Sequence, residues 1–190
     1  MNRLIQPGNM KLGGDTMMFN IPAIIEICGR ICEGCYSHKA YRMYPNVLPA
    51  QERRLKASKQ PDFTTIVNKE LSSLRKKPKY FRIHGSAGEF YSQSYINAWQ
   101  AIIKSNPKIT FYAYTKRMKD FNFSSLQGLQ NMVLIDSMHF GGINFDTKDN
   151  VPSGAFVCPA EKDKVICGIN CLWCMQKGKA DTKGVFFIKH

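Results

Sequence analysis

The fold of this chain is decided by the stretch Met18-Phe-Asn-Ile-Pro-Ala-Ile-Ile-Glu-Ile-Cys28-Gly-Arg-Ile-Cys32-Glu-Gly-Cys35. It begins as an apolar run rich in isoleucine, which predicts a buried strand over Met18–Ile27. It ends as a loop with three cysteines in a C-x3-C-x2-C spacing. Because Gly29 and Gly34 permit sharp turns, this loop can wrap three thiolates around one compact site. The stretch therefore predicts a strand that runs directly into a metal-binding loop.

Short apolar runs alternate with helical patterns along the rest of the chain. Runs of strand length lie at Tyr80–His84, Ile109–Thr115, Met132–Asp136, Ala155–Val157 and Val185–Ile188. Apolar residues at helical spacing predict helices over Ser37–Tyr44, Phe63–Leu74 (capped by Asp62), Tyr95–Ile103 and Ser124–Leu129. This alternation favours a largely parallel sheet with right-handed crossovers. About six strands are too few for an eight-stranded barrel, so we predict an α/β fold with a partial (β/α) barrel of mostly parallel strands.

We expect two regions within this fold. Residues 1–150 should form the partial α/β barrel, including the first cysteine loop, and residues 151–190 a C-terminal four-cysteine metal-binding module with the final strand. In such sheets ligands bind outside the carboxyl ends of the strands. The first cysteine loop and the His84–Glu89 segment each follow a predicted strand. They should therefore lie together at the edge of the sheet where the strands have their carboxyl ends, which we call the rim.

The seven cysteines all fall in two tight groups, as expected of metal ligands. The first group is Cys28, Cys32 and Cys35. Three thiolates leave one iron of a [4Fe–4S] cluster without a protein ligand, so that iron could take a small molecule. A zinc site completed by a distant fourth ligand is the alternative, although the x3 gap is less usual for zinc.

The second group has the spacing C-x8-C-x3-C-x2-C and consists of Cys158, Cys167, Cys171 and Cys174. Four thiolates complete a site without outside help, either as tetrahedral zinc or as a fully ligated [4Fe–4S] cluster. The repeated C-x3-C-x2-C spacing favours iron–sulfur, and zinc stays open.

The start of the chain shows no secretory signal, so we expect a cytoplasmic protein whose thiols stay reduced. No run of about 18 apolar residues predicts a membrane span. Lys and Arg number 27 against 14 Asp and Glu, a formal net charge of +13. Such a basic protein attracts nucleic acid or nucleotides. A generally solvated basic surface is the plainer explanation.

Two further segments carry candidate ligand-binding residues. In the His84–Ser92 loop, Gly85, Ser86 and Gly88 would let backbone amides approach a ligand closely, with Glu89 beside them. A plain tight turn would also explain this composition. Lys116 and Arg117 end a predicted strand and could meet a carboxylate or a phosphate. His84 is either a structural histidine or a polar residue of the site.

The C-x3-C-x2-C loop after a first strand resembles the signature of radical S-adenosylmethionine (SAM) enzymes. The resemblance implies that the open iron chelates SAM and that an electron donor drives its cleavage to a 5′-deoxyadenosyl radical. It implies that Gly88 and Glu89 bind the amino group of SAM, with Ala87 where the superfamily has a first glycine. Lys116 or Arg117 would then bind the SAM carboxylate, and Tyr36, after the third cysteine, would contact adenine. The implied activity is a radical SAM-type enzyme with no assigned substrate or catalytic residue.

A wider set of motifs resembles the phage-encoded "gene product 88" type family. The matching motifs include Cys35-Tyr36, Arg82-Ile-His84, Gly88-Glu89-Phe-Tyr-Ser92 and Tyr112-Ala-Tyr-Thr-Lys116, with the terminal cysteines. The resemblance implies a mobile-element protein in the host cytoplasm. Two other functions stay open: a non-catalytic, metal-stabilised nucleic-acid-binding protein, and a cluster protein for electron transfer.

Overall fold

The structure is a computed structural model that describes residues 3–29, 35–137, 141–145, 156–159, 165–183 and 185–188. The strands within these ranges are β1 Gln6–Pro7, β2 Thr16–Phe19, β3 Tyr80–Ile83, β4 Thr110–Thr115, β5 Met132–Asp136, β6 Gly141–Phe145 and β7 Val185–Ile188. The α-helices are α1 Ile25–Cys28, α2 Tyr36–Met43, α3 Val47–Ser58, α4 Phe63–Ser73, α5 Gln93–Ser105, α6 Ser124–Gln127 and α7 Ala180–Lys183. None of the helices in these ranges is long and apolar enough to cross a membrane.

The main sheet has five strands in the order β1-β2-β3-β4-β5. The edge strand β1 is antiparallel to β2, and the pairs from β2 to β5 are parallel. Phe19 pairs with Ile83, and Ile83 pairs with Ala113. This register brings the carboxyl ends of β2, β3 and β4 to one edge, so the loops that follow these strands meet there.

Residues alternate between the two faces of the sheet. Phe81 and Phe111 belong to a core formed with α4, α5 and α6, in which Trp99 lies 5.4 Å from Phe19 and 5.7 Å from Phe81, measured between ring centroids. Tyr112 points to the other face and belongs to a second cluster. The members of that cluster are Tyr112, Val133, Ile135, Met175, Ala180 and Val185. The C-terminal segment with the second cysteine group therefore packs on the second face.

The α/β class and the mostly parallel pairing are confirmed. The partial barrel of about six strands needs correction, because the described strands form an open five-stranded sheet and a separate parallel pair, β6–β7. The physical reason is that the C-terminal segment already covers the second face. The sheet therefore buries both faces without curling on itself.

The predicted strand over Met18–Ile27 is wrong beyond Phe19, and only Met18 and Phe19 of that range lie in β2. The strand ends at Phe19, and Ile25–Cys28 is a short helix. Pro22 lacks the N–H that a strand ladder needs, so the pairing with β3 stops before it. The helix α3 was not predicted, since its face carries few apolar residues, but Pro49 in its first turn is compatible with a helix start. Of the predicted strand Ala155–Val157, Ala155 lies outside the described residues.

Candidate functional site

The loops after β2 and β3 are joined by hydrogen bonds at the carboxyl edge of the sheet. The backbone N–H of Ser86 donates to Oδ1 of Asn20 at 2.8 Å, and Ser37 Oγ donates to the carbonyl of Ser86 at 2.9 Å. The N–H of His84 donates to the carbonyl of Phe19 at 2.8 Å. The described segments on either side of the first cysteine loop and the His84–Glu89 loop thus lie on one rim, as expected from the strand order.

Gly88 lies where these two loops approach most closely. Its φ is +93°, and a Cβ at this position would overlap Cγ1 of Ile21 and lie 2.7 Å from the Ile21 carbonyl oxygen. Both the left-handed backbone and the contact require glycine. The contact with Ile21 therefore explains the glycine without any ligand. A role for Gly88 in SAM binding stays a prediction.

Glu89 connects the loop after β3 to the end of β4. Its buried carboxylate accepts hydrogen bonds from Thr115 Oγ1 at 2.7 Å, from the N–H of Lys116 at 2.8 Å and from the N–H of Phe90 at 3.0 Å. Burial raises the pKa of Glu89, while these donors and the nearby Arg117 oppose the shift. The carboxylate therefore has a structural role in addition to the predicted contact with the SAM amino group.

We expect Glu89→Gln to lower the free energy of unfolding by about 1–3 kcal/mol at pH 4.5 or below, because both oxygens of a neutral carboxyl can still accept a hydrogen bond, whereas the glutamine NH₂ would face a donor and leave it unsatisfied. Burial raises the folded pKa of Glu89 above its ordinary value of 4.5. The stability that Glu89 adds over glutamine is therefore greatest below pH 4.5 and declines as the pH rises through the folded pKa. Urea unfolding of both proteins across this range measures the difference.

The exposed Glu52 on α3 provides a matched control. Glu52→Gln should change the unfolding free energy by less than about 0.5 kcal/mol at every pH. If the advantage of Glu89 over glutamine grew as the pH rose from 4.5, the sign of this linkage would be wrong.

Arg117 links the segment before the first cysteine loop to the end of β4 through its side-chain hydrogen bond to Ile27. Its Nη1 donates to the carbonyl of Ile27 at 3.0 Å, and its Nε forms an ion pair with Asp120. Its guanidinium also lies over the ring of Phe121, 5.0 Å from the centroid. Arg117 is therefore a positioning residue in this structure. Lys116 follows the same strand and reaches the same rim.

The first cysteine group is described only in part. Cys28 ends α1, Gly29 follows with φ +70°, and Cys35 is the N-terminal cap of α2. Both cysteines are half-buried. Cys32 and the side chain of Tyr36 lie outside what the structure describes. Cys28 and Cys35, the two predicted ligands that the structure describes, both lie at the rim.

His84 combines burial with an unusual backbone. Its φ is +56°, a conformation uncommon for residues other than glycine. Its Nε2 lies 3.0 Å from the hydroxyl of Tyr95, and its ring meets Phe90 edge-on at 4.8 Å. Burial lowers the pKa of His84 to about 3, so the ring is neutral at physiological pH. These contacts favour the structural interpretation of His84.

The second cysteine group surrounds a cavity of about 120 Å³ on the other face of the sheet. The cysteines that line it are Cys158, Cys167, Cys171 and Cys174. All four are half-buried. Burial raises the pKa of Cys174 to about 12, which keeps this thiol protonated unless a metal replaces its proton. Among the described residues, no three His, Cys, Asp or Glu side chains are grouped as ligands of a single metal ion.

Strand residues form the wall opposite these cysteines. Tyr114 donates its hydroxyl to Sγ of Cys174 at 2.8 Å, and the guanidinium of Arg82 lies 5.1 Å from the centroid of the Tyr114 ring. Tyr112 also lines the cavity. The sequence analysis named these three residues only within family motifs and gave them no place in a site. Their alternation on β3 and β4, which turns Arg82, Tyr112 and Tyr114 to one face, was the signal that could have identified them.

The cysteine segment is held to the sheet by backbone contacts. The N–H of Cys167 donates to the carbonyl of Lys11 at 2.7 Å. Gly168 has φ +82°, and a Cβ there would lie 3.2 Å from the ring of Tyr80. Phe156 stacks on Trp173 at 4.3 Å with an interplanar angle of 9°. The segment that carries the four cysteines is therefore placed at the cavity by long-range packing as well as by their spacing.

Comparison with known proteins identifies relatives of this chain. The "Gene product 88" family model matches residues 3–182. The "Gene 88 protein" of Mycobacterium phage L5 is 29% identical over 122 residues, which cover 61% of this chain and 51% of the relative. The "Gene 88 protein" of Mycobacterium phage D29 is 26% identical over 122 residues, 61% of this chain and 50% of the relative.

The matched region spans about half the length of these two relatives. Their names state no activity, substrate or cofactor. No solved structure matches the chain. The family model extends over nearly the whole chain, which confirms the resemblance inferred from its motifs. The chain therefore belongs to the phage gene product 88 family.

Proposed function

We propose that this chain is a SAM-binding iron–sulfur protein of radical SAM type that acts at the rim. The supporting observation is the convergence there of three segments. Cys28 and Cys35 stand at the two ends of the first loop, Ser86 is bonded to Asn20 before that loop and to Ser37 after it, and Thr115–Arg117 contacts Glu89 and Ile27. The chemistry supplied by a [4Fe–4S] cluster at this rim is reductive cleavage of SAM to a 5′-deoxyadenosyl radical, with the electron coming from an external donor.

Each rim residue has a defined task in this proposal. Cys28, Cys32 and Cys35 hold the cluster. We assign the SAM carboxylate to Lys116 or Arg117, which directly follow β4 at this rim. A carboxylate offers about four lone-pair sites, and Glu89 accepts three hydrogen bonds within the protein. One site therefore remains for the SAM amino group.

The other predicted contacts complete the proposed site. Tyr36 begins α2 directly after Cys35, which suits the adenine contact. The N–H of Ser86 is engaged with Asn20, and a Cβ at Gly85 would lie 2.7 Å from the sulfur of Met18. The Ser86 amide is therefore already engaged within the protein, and the approach of a ligand to Gly85 stays a prediction. The proposal places the protein in the host cytoplasm, where the thiols stay reduced.

Anaerobic reconstitution with iron and sulfide tests this proposal. The reconstituted protein should bind SAM and, after addition of dithionite, release 5′-deoxyadenosine, measured by liquid chromatography. A heat-denatured sample provides the background. A protein that retains zinc, binds no iron and forms no 5′-deoxyadenosine would exclude the radical enzyme.

A second candidate is a non-catalytic, metal-stabilised protein that binds nucleic acid. An open cavity of about 520 Å³ lies beside Lys59 and Tyr91. Tyr91 stacks on Tyr95 at 4.4 Å, with the Lys59 ammonium 5.9 Å from the Tyr91 centroid. Aromatic rings beside basic side chains suit stacked bases, and the net charge of +13 suits phosphates. This candidate predicts DNA binding that weakens steeply with salt and no 5′-deoxyadenosine.

A further inference from the structure

We infer that the cavity on the second face of the sheet holds a polynuclear iron–sulfur cluster rather than a single zinc ion. Its ligands are Cys158, Cys167, Cys171 and Cys174, which line the cavity together. The site lies on the face of the sheet opposite α4, α5 and α6 and is built without any rim residue. This inference does not depend on SAM chemistry at the rim.

The position of the four cysteines around a shared cavity argues against a single ion. Zinc binds thiolates at about 2.3 Å in a tetrahedron, which places the sulfurs about 3.8 Å apart and leaves no cavity between them. Here the four cysteines share the lining of a cavity of about 120 Å³ with Arg82, Tyr112 and Tyr114, and no three of the described ligand-type side chains are grouped around one ion. In a [4Fe–4S] cluster each thiolate binds a different iron, so the thiols are spread around an inorganic core.

The polar wall of the cavity suits an anionic core. Four thiolates on a [4Fe–4S] core give the site a net negative charge, and the guanidinium of Arg82 lies beside Tyr112 and Tyr114 on the opposite wall. The Tyr114 hydroxyl already donates to Cys174. Tyr112 is only 1% exposed, and its hydroxyl is buried without a hydrogen-bond partner among the described residues. A buried donor without a partner costs stability, and an inorganic sulfide would accept its hydrogen bond.

Metal analysis of a variant without rim thiols tests the inference. In the triple variant Cys28→Ala, Cys32→Ala, Cys35→Ala, anaerobic reconstitution should leave about four irons and four sulfides per chain, with brown absorbance that dithionite bleaches. Adding Cys174→Ala should remove most of that iron and sulfide. About one zinc per chain without sulfide would overturn the inference, and so would a triple variant without metal that keeps the native circular dichroism spectrum. A failure of SAM cleavage in the wild type would leave all these values unchanged.

Tyr114→Phe provides a second test in the otherwise unchanged full chain, because it keeps the ring and removes only the donor to Cys174. We expect unchanged iron and sulfide contents and a reduction potential shifted to more negative values, since the reduced cluster loses a hydrogen bond to its ligand. Tyr44→Phe, at a residue 57% exposed, should leave the potential unchanged. An unshifted potential in Tyr114→Phe would contradict the assignment of Cys174 as a cluster ligand.

Discussion

Replacing Cys32 with alanine is expected to abolish the formation of 5′-deoxyadenosine from SAM and to remove about four irons per chain. The two remaining thiolates of the loop, at Cys28 and Cys35, cannot hold a [4Fe–4S] cluster with a defined open iron. Without that iron, SAM has no site at which its amine and carboxylate are chelated. Iron and sulfide analysis, followed by chromatography of the nucleoside products after anaerobic reduction, measures both effects.

Ser105→Ala is a suitable control for this experiment, since Ser105 is exposed at the end of α5. That variant should keep the wild-type iron content and the wild-type yield of 5′-deoxyadenosine. The second cluster that we infer should persist in Cys32→Ala, so the protein should keep part of its colour. A Cys32→Ala protein with full iron content and full SAM cleavage would refute the assignment of the rim as the cluster site.

The parts of this fold that the sequence predicted well are those with local signals. The strand over Met132–Asp136 is bounded as predicted, because a run of five strand-forming residues lies between polar turns. The helix α5 has apolar residues at helical spacing and a serine cap, Ser92, whose side chain accepts from the N–H of Tyr95. The rim followed from strand order alone, since loops after parallel strands share an edge.

The parts that could not be predicted depend on contacts between distant segments. The hydrogen bond from Arg117 to the carbonyl of Ile27 joins residues 90 positions apart, and no local sequence pattern indicates it. The engagement of Glu89 with Thr115 likewise needs the pairing of β3 with β4. The open sheet differs from the predicted barrel for the same reason, because the C-terminal segment covers its second face only through long-range packing.

Gly88→Ala is expected to lower the free energy of unfolding by about 3 kcal/mol or more, the largest stability effect that we predict. The left-handed backbone accounts for about 1–2 kcal/mol of this loss. The rest comes from overlap of the new Cβ with Ile21, whose carbonyl oxygen would lie 2.7 Å away and cannot move without displacing the loop after β2. Urea denaturation followed by circular dichroism measures the loss.

Two other glycines separate these contributions. Gly178 has φ +79°, and a Cβ added there would meet no described atom within 4 Å, so Gly178→Ala should cost only the backbone strain of about 1–2 kcal/mol. Gly14 has the same open surroundings without a positive φ, and Gly14→Ala should change stability by less than about 0.5 kcal/mol. If Gly88→Ala lowered the free energy of unfolding by no more than Gly178→Ala, the loop after β2 would be able to move away from the new Cβ without loss of stability. The glycine at position 88 would then have to be explained by a bound ligand rather than by Ile21.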